Sequence, residues 1–367
     1  MSSKNTRADS CQKKKPKSAE RRTRAKATGE PFAKRLHMST PFSQGLDVSR
    51  RQYADAWSKN LLFSFSVSDV LHQSESEFQE LLVVDTPEFG RMLILDGNLQ
   101  CAERDEKAYH EFMVHPALCR REAAKRELKV LIIGGGDGGA AREVLRHREV
   151  KSVELVDIDN DVMKVSREHL ASIWRRPELK NSDDHQPLDD DPRLHIRAED
   201  GVAFLEQFAA RNVPDAGKYD LIVVDASDPV GPGTVLYADR FYAAIAECLC
   251  EKGAVSVQSG SWFYFPEVLQ TVYHGLSAHF PMVKAYECFS AIYPGGVWNL
   301  CLATKGDDPL LVDEKRAQAL QKVGEGCDWY DEKTHEAAFA LPRNARRILE
   351  KKPPSLEEVS ERILDVM

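Results

Sequence analysis

The segment Gly134-Gly135-Gly136-Asp137-Gly138-Gly139 keeps the spacing G-x-G-x-x-G after a short apolar run. Glycines at that spacing let backbone approach a bound nucleoside closely. Asp157 follows at the end of the next apolar run, where an acid holds ribose hydroxyls in such sites. Asp137, inside the loop, is the informative residue. A dinucleotide places its pyrophosphate on backbone N–H groups at the helix N-terminus, and a carboxylate there repels phosphate. The loop therefore suits a phosphate-free, cationic adenosine compound. A sulfonium nucleoside of the S-adenosylmethionine type fits, and a nicotinamide cofactor fits poorly.

More acids stand at the ends of later apolar runs: Asp200-Gly201, then Asp225-Ala226-Ser227-Asp228-Pro229. In open α/β sheets, ligands bind beyond the carboxyl ends of the strands. Asp137, Asp157, Asp200, Asp225 and Asp228 are thus expected to converge on one cleft. A helix N-cap is the plainer role for any one of them, Asp228 above all. Five such acids suit either a metal or a polycationic substrate. The loop has no P-loop Lys or Ser/Thr, so Mg²⁺-phosphate chemistry is disfavoured, and no metal or cofactor is expected. A diamine would need an acid at each end and an apolar middle. Tyr109, Trp262, Phe263, Tyr264, Tyr293 and Trp298 are candidates for that middle, with cation–π attraction added.

These residues need a scaffold of alternating strands and helices. Strands are expected at Lys129–Ile133, Ser152–Ile158, Leu194–Arg197, Tyr219–Asp225, Gly253–Gln258, Val283–Cys288 and Trp298–Thr304, with helices between most of them. Strands apolar on both faces that alternate with helices predict a buried parallel sheet. Ahead of it, Leu61–Val67, Glu80–Val84, Arg91–Leu95 and Asn98–Cys101 read as a small antiparallel sheet. Asp96-Gly97 is its hairpin turn. Residues 174–192 read as a polar surface insertion. The expected organisation is a tail over 1–50, an N-terminal β-domain over 51–107, a Rossmann-like catalytic domain over 108–350 and a helical tail over 351–367.

The chain has 367 residues, 42% hydrophobic and 29% charged, which suits one or two folded domains. No run approaches the roughly 18–20 apolar residues of a membrane span, and a cytoplasmic location is expected. The 8 Cys show no C-x-x-C pair or zinc spacing, so free thiols are expected. The net charge of −8 is uneven: residues 1–40 hold 12 Lys/Arg and 3 Asp/Glu, and the remainder 38 and 55. The basic tail reads as a solvated extension, or as a nuclear, nucleic-acid or organellar address. The acidic body disfavours nucleic acid as the main partner and suits a cationic small molecule.

Ile132 to Gly139 with Arg142-Glu143-Val144 resembles the spermidine synthase family of aminopropyltransferases. So do Leu95-Asp96-Gly97 through Gln100-Cys101, Glu103-Arg104-Asp105-Glu106, Tyr109-His110-Glu111 and Asp225 to Pro232. Tyr293-Pro294-Gly295-Gly296, Trp329-Tyr330-Asp331 and His335 to Pro342 agree. The resemblance covers about residues 55 to 350. It implies a small N-terminal β-domain on a seven-stranded, methyltransferase-like core, as a homodimer. It also implies transfer of the aminopropyl group of decarboxylated S-adenosylmethionine to putrescine, giving spermidine and methylthioadenosine. On this likeness Asp225 is the base. Gln79, His110, Asp137, Asp157, Asp200, Gly201 and Pro232 bind the donor, with Asp137 on its ammonium. Tyr109, Asp228 and Tyr293 hold the acceptor. There are departures. Asp157 stands where these synthases mostly carry Glu, and Ser259-Gly260-Ser261-Trp262-Phe263, Ile292 and Trp298 are unusual near the acceptor. Other amine acceptors, or N-methyl transfer to a small amine on the same scaffold, are the alternatives. A non-catalytic paralogue is disfavoured by retention of Asp225 and Asp228.

Overall fold

The computed structural model describes residues 45–49, 51–58, 60–120, 127–176 and 186–366, with only the backbone of Pro232, Asp365 and Val366. By internal contacts the chain divides into Met1–Ser39 and Thr40–Met367. The description concerns the second unit, and most of the expected basic tail lies outside it.

The first sheet is antiparallel and three-stranded: β1 (Gly45–Asp47), β2 (Gln52–Ser58) and β3 (Leu61–Ser66). β1 falls within the expected tail. Leu46 is buried there and Gly45 stands opposite Ala54, so the end of that stretch belongs to the fold. The second sheet holds β4 (Asp69–Glu75), β5 (Glu80–Thr86), β6 (Gly90–Leu95) and β7 (Asn98–Ala102), all antiparallel. Asp96 and Gly97 turn the expected hairpin with φ of 48° and 81°, as a primed two-residue turn requires. Alternate residues of β5 serve two interfaces, as a period of two dictates. Leu82 and Val84 pack with Met92, Ile94 and Phe65. Leu81 and Val83 pack with Leu93, Cys101, Val162 and Val165.

The main sheet has seven strands: β8 (Leu128–Gly134), β9 (Val150–Asp157), β10 (Leu194–Ala198), β11 (Tyr219–Asp225), β12 (Leu249–Gln258), β13 (Met282–Phe289) and β14 (Val297–Thr304). They lie in the order β10-β9-β8-β11-β12-β14-β13. The first five are parallel, and β14 runs antiparallel to both β12 and β13. The wholly parallel expectation fails there because β13 and β14 are joined by a short turn, not a helical crossover. Helices cover both faces: α1 (Glu106–Leu118), α2 (Gly139–Leu145), α3 (Asn160–His169), α4 (Gly201–Ala210), α5 (Asp239–Cys248) and α6 (Pro266–Ser277). Four more follow: α7 (Glu314–Leu320), α8 (Glu332–Ala338), α9 (Arg343–Leu349) and α10 (Leu356–Val366). Along β8, Val130 and Ile132 share one core cluster with Met113, Val114 and Val144, while Leu131 and Ile133 share the other with Leu205, Phe241 and Leu269. In α10, Val359 and Ile363 are buried in that second cluster, so the expected C-terminal helix docks on the core.

α1 buries Glu106, His110, Glu111 and His115. Pro116 in its last turn has no N–H to offer the carbonyl of Phe112. The hydroxyl of Tyr286 donates to that oxygen instead, at 2.9 Å. The expected surface insertion also needs correcting at its ends. Trp174 and Leu188 are buried, and the Trp174 indole N–H donates to Asp189 at 2.5 Å. The Arg167 guanidinium lies 4.5 Å over the same ring. Two apolar anchors thus pin the segment, while 177–185 lie outside the described residues.

Ile222, at the centre of β11, is fully buried. Ile222→Ala is expected to cost about 2–5 kcal/mol. In urea unfolding the midpoint should fall with little change in slope.

Candidate active site

The glycine loop brings the ends of β8 and β11 into contact. Gly134 has φ of 79°, and a Cβ there would stand 2.0 Å from the backbone oxygen of Asp225. Only glycine permits this approach, and the Gly135 N–H donates to that same oxygen at 2.9 Å. A Cβ on Gly139 would likewise strike the His110 ring at 2.2 Å. The loop therefore seats Asp137, Asp225 and His110 together.

Their geometry is specific. The Tyr109 hydroxyl donates to Asp225 Oδ1 at 2.7 Å. Asp137 Oδ1 accepts the Gly139 N–H at 2.8 Å. His110 Nε2 lies 3.4 Å from Asp137 Oδ2 and 3.9 Å from Asp225 Oδ2. Burial pushes the Asp225 pKa up to about 6, the Asp137 charge adds to this, and His110 and Tyr109 oppose it. Burial opposes a charged His110, yet Asp137 and Glu106 outweigh it and hold the imidazole well above its usual range. Burial raises Asp137 too, but His110 and its hydrogen bonds win and lower it. Tyr109 is raised by burial and by Asp225, so it stays a neutral donor.

Asp157 closes the other side of the loop. Its Oδ2 accepts the Gly136 N–H at 3.0 Å and its Oδ1 the Asp159 N–H at 2.8 Å. Burial raises its pKa to about 6, with neighbouring acids adding to the rise. Gln79 reaches this wall through Asp159, donating to Oδ2 at 3.0 Å, as Ser76 does at 2.6 Å. The same Asp159 caps α3. Asp200 is exposed and caps α4, accepting from Val202 and Ala203. Gly201 sits against Ile133, near the end of β8. The Pro232 side chain lies outside the description.

The cap role expected of Asp228 thus falls on Asp159 and Asp200. Asp228 instead accepts from Gln258 Nε2 at 3.3 Å, and burial raises its pKa. Gln258 also donates to Ala226 O at 3.1 Å and to the Tyr237 hydroxyl at 2.6 Å, fixing the loop after β11. Tyr293 donates to Gln100 O at 3.2 Å, and its ring lies 4.3 Å from that of Trp298. Trp57 of β2 meets Tyr264, Phe265, Tyr293 and Trp298 at 5.6–6.2 Å. Its indole N–H donates to the buried Asp55, which burial lifts to about 6. Asp105 accepts from the Ala291 and Ile292 N–H groups and holds the turn carrying Tyr293. Trp262 and Phe263 extend this group outward, the Phe263 ring lying 5.0 Å from that of Tyr264. They line an open pocket with Pro266, Lys351 and Arg362.

Sequence reasoning missed Asp55, Trp57, Asp105, Asp159 and Gln258. A signal existed only for Asp105, within the quoted Glu103–Glu106 motif. Among the described residues, two trios could supply metal ligands: His110, Asp137 and Asp225, and His115, Glu143 and Cys327. In the first, the carboxylates that raise the His110 pKa favour the imidazolium, whose Nε2 has no lone pair for a metal. In the second, Glu143 already faces Arg142 and Arg146 at 2.6 Å each. An organic cation suits the first trio better.

Residues 106–314 match the spermine/spermidine synthase domain, and 51–103 the spermidine synthase tetramerisation domain. The polyamine aminopropyltransferase of Caldicellulosiruptor bescii is 34% identical over 81% of this chain and 97% of its own. That of Bacillus subtilis is 35% identical over 81% and 98%. The crystal structure of a spermidine synthase in complex with the transition state analogue AdoDATO is 30% identical, with a TM-score of 0.71 over 82% of this chain and 94% of the other. The Thermotoga maritima spermidine synthase is 29% identical, with a TM-score of 0.69 over 82% and 94%. Asp225, Tyr109 and Asp137 meet at the carboxyl ends of β8 and β11, and the chain is alike over nearly the whole length of these enzymes: the protein belongs to the spermine/spermidine synthase family and is an aminopropyltransferase.

Proposed function

We propose that the donor is decarboxylated S-adenosylmethionine and the acceptor putrescine, giving spermidine and methylthioadenosine. The observation that carries this reading is the partly buried Asp225, hydrogen-bonded to Tyr109 and facing Asp137 across the glycine loop. Asp137 takes the aminopropyl ammonium of the donor. Asp157, with Gln79 behind it through Asp159, takes the ribose, and Asp200 with Gly201 lies on the adenine side. Asp228 and the aromatic wall of Tyr293 take the second ammonium and the alkyl chain of the acceptor.

The reaction is an in-line displacement. The amine lone pair attacks the methylene carbon next to sulfur, the C–S bond breaks, and its electrons leave on sulfur as a neutral thioether. The sulfonium is already activated, so we expect no metal or cofactor. An alkyl amine arrives protonated, with a pKa near that of Lys, about 10.4. It must lose that proton before attack. Asp225 accepts it, and its burial makes it a stronger base than a carboxylate in water. Alignment of two reactants supplies part of the roughly 7–11 kcal/mol available from orientation. Asp137 also selects the donor, since the carboxylate of ordinary S-adenosylmethionine would meet a like charge there. The match to a tetramerisation domain supports a homo-oligomer, at least the dimer that the family resemblance implies.

Two measurements check this. Asp225→Asn should lose about 10²–10⁴ of turnover, the usual worth of a general base, while still binding methylthioadenosine in calorimetry. Unchanged turnover would remove Asp225 from the role. With putrescine and both donors offered, mass spectrometry should find an added aminopropyl group. An added methyl group would favour the N-methyltransferase reading, and inertness to putrescine beside reaction with spermidine would move the acceptor to a longer amine.

The acid limb of kcat/KM should bend near pH 6. Asp225 works as the carboxylate, so the rate falls tenfold per unit below that bend and is level above it. A limb near pH 4 would mean that Asp225 is not the group being titrated.

A further inference from the structure

Glu106 opens α1 and is buried, with no assigned part in the reaction. One turn on, His110 donates its Nδ1–H to Glu106 Oε2 at 2.7 Å, the pairing that i,i+4 spacing allows. Arg142 of α2 grips the same carboxylate with two parallel N–H groups, at 2.8 and 2.7 Å. Arg142 Nε reaches Glu143 at 2.6 Å, and Arg146 pairs with the other oxygen of Glu143 at 2.6 Å. Charges of alternating sign thus run from the back of α2 to the cleft, and His110 is the last of them. Its Nε2 is buried and makes no hydrogen bond, although it points at Asp137 and Asp225.

We propose that Glu106, locked by Arg142, is a positioning residue: it keeps His110 doubly protonated, with Nε2–H aimed between Asp137 and Asp225, so that the cleft carries a cation of its own. The proposal rests on the reading of Asp225 as the base. Two carboxylates this close tend to share a proton unless a positive charge stands between them. A proton held by Asp225 blocks the step in which it must accept one.

The groups facing His110 support the assignment from every side. Glu106 and Tyr109 come from α1, Asp137 from the glycine loop, and Asp225 from β11. Cys101 of β7 is raised by burial and by Asp137, so it stays a neutral thiol. Arg142 lies across Glu106. Three carboxylates against one guanidinium favour the imidazolium despite its burial. The His110 charge in turn holds Asp225 below where burial and Asp137 alone would set it.

Glu106→Gln keeps the shape and removes the charge. The expected result is an acid limb of kcat/KM moved up by about one pH unit, which is about fivefold less activity at pH 6, largely regained by pH 8. Glu106→Asp, which keeps the carboxylate, should bring the limb back toward its original place. In a His110→Gln background, Glu106→Gln should add no further loss. A lower melting temperature with the limb unmoved, or additive losses in the double variant, would reduce Glu106 to a structural residue and overturn the proposal. Should Glu106→Gln fail to fold, ¹⁵N-histidine NMR of the unaltered protein decides. His110 should remain doubly protonated at pH 8, and a neutral ring there sinks the idea. Full activity in Asp225→Asn would instead overturn the base while leaving that NMR result standing, so the two failures are distinguishable.

Discussion

On the proposed mechanism two carboxylates, Asp137 and Asp225, remain ionised side by side in a partly buried cleft. Like charges about 4 Å apart repel by roughly 4 kcal/mol at an effective dielectric of about 20. The protein offsets this with directed donors. A backbone N–H holds Asp137, a phenol holds Asp225, and an imidazole stands between them. The glycines of the loop are the steric condition, because side chains at 134 and 139 would occupy the space of Asp225 and His110. What is left is a partly buried cleft lined by acids, which suits positively charged groups.

The rest of the fold serves to aim these groups. β8 and β11 run side by side, pairing Asp225 with Gly134 in register, so Asp225 and the glycine loop leave the sheet at the carboxyl ends of two adjacent inner strands. α1 presents Tyr109 and His110 to those ends and uses its other face, through Glu111, to hold three consecutive backbone N–H groups at 328–330. Gln258, at the end of β12, fixes the loop carrying Asp228. Each reactive side chain thus has a second contact that sets its direction.

The core was legible in the sequence because its strands are apolar on both faces and its loop carries glycine. The missed elements hide their pattern for identifiable reasons. β2 alternates properly, but its buried face reads Tyr53, Asp55, Trp57, and the acid breaks the apolar signal. β4 lies at a sheet edge and is mostly exposed, so it has no apolar face to show. α1 buries charged and imidazole side chains, which flattens its periodicity. Within the site, Asp137, Asp157 and Asp225 could be placed from strand ends alone. The partners Asp159 and Gln258 could not, since their roles depend on contacts between distant segments. The cap expected of Asp228 went elsewhere for a similar reason: Asp200 directly precedes α4, whereas a short 3₁₀ turn at Gly231–Tyr237 follows Asp228.

Asp159 joins two parts of the chain at one carboxylate, with one oxygen on the first turn of α3 and the other on Ser76 and Gln79. Its neighbour Asp157 therefore depends for its setting on a loop some eighty residues upstream. Grafting the seven-stranded core onto a foreign amino-terminal module would preserve the setting of Asp225 and leave that of Asp157 unfinished. The two segments are bound to be inherited as one piece, and substitutions at 76, 79 and 159 should be tolerated jointly more readily than singly.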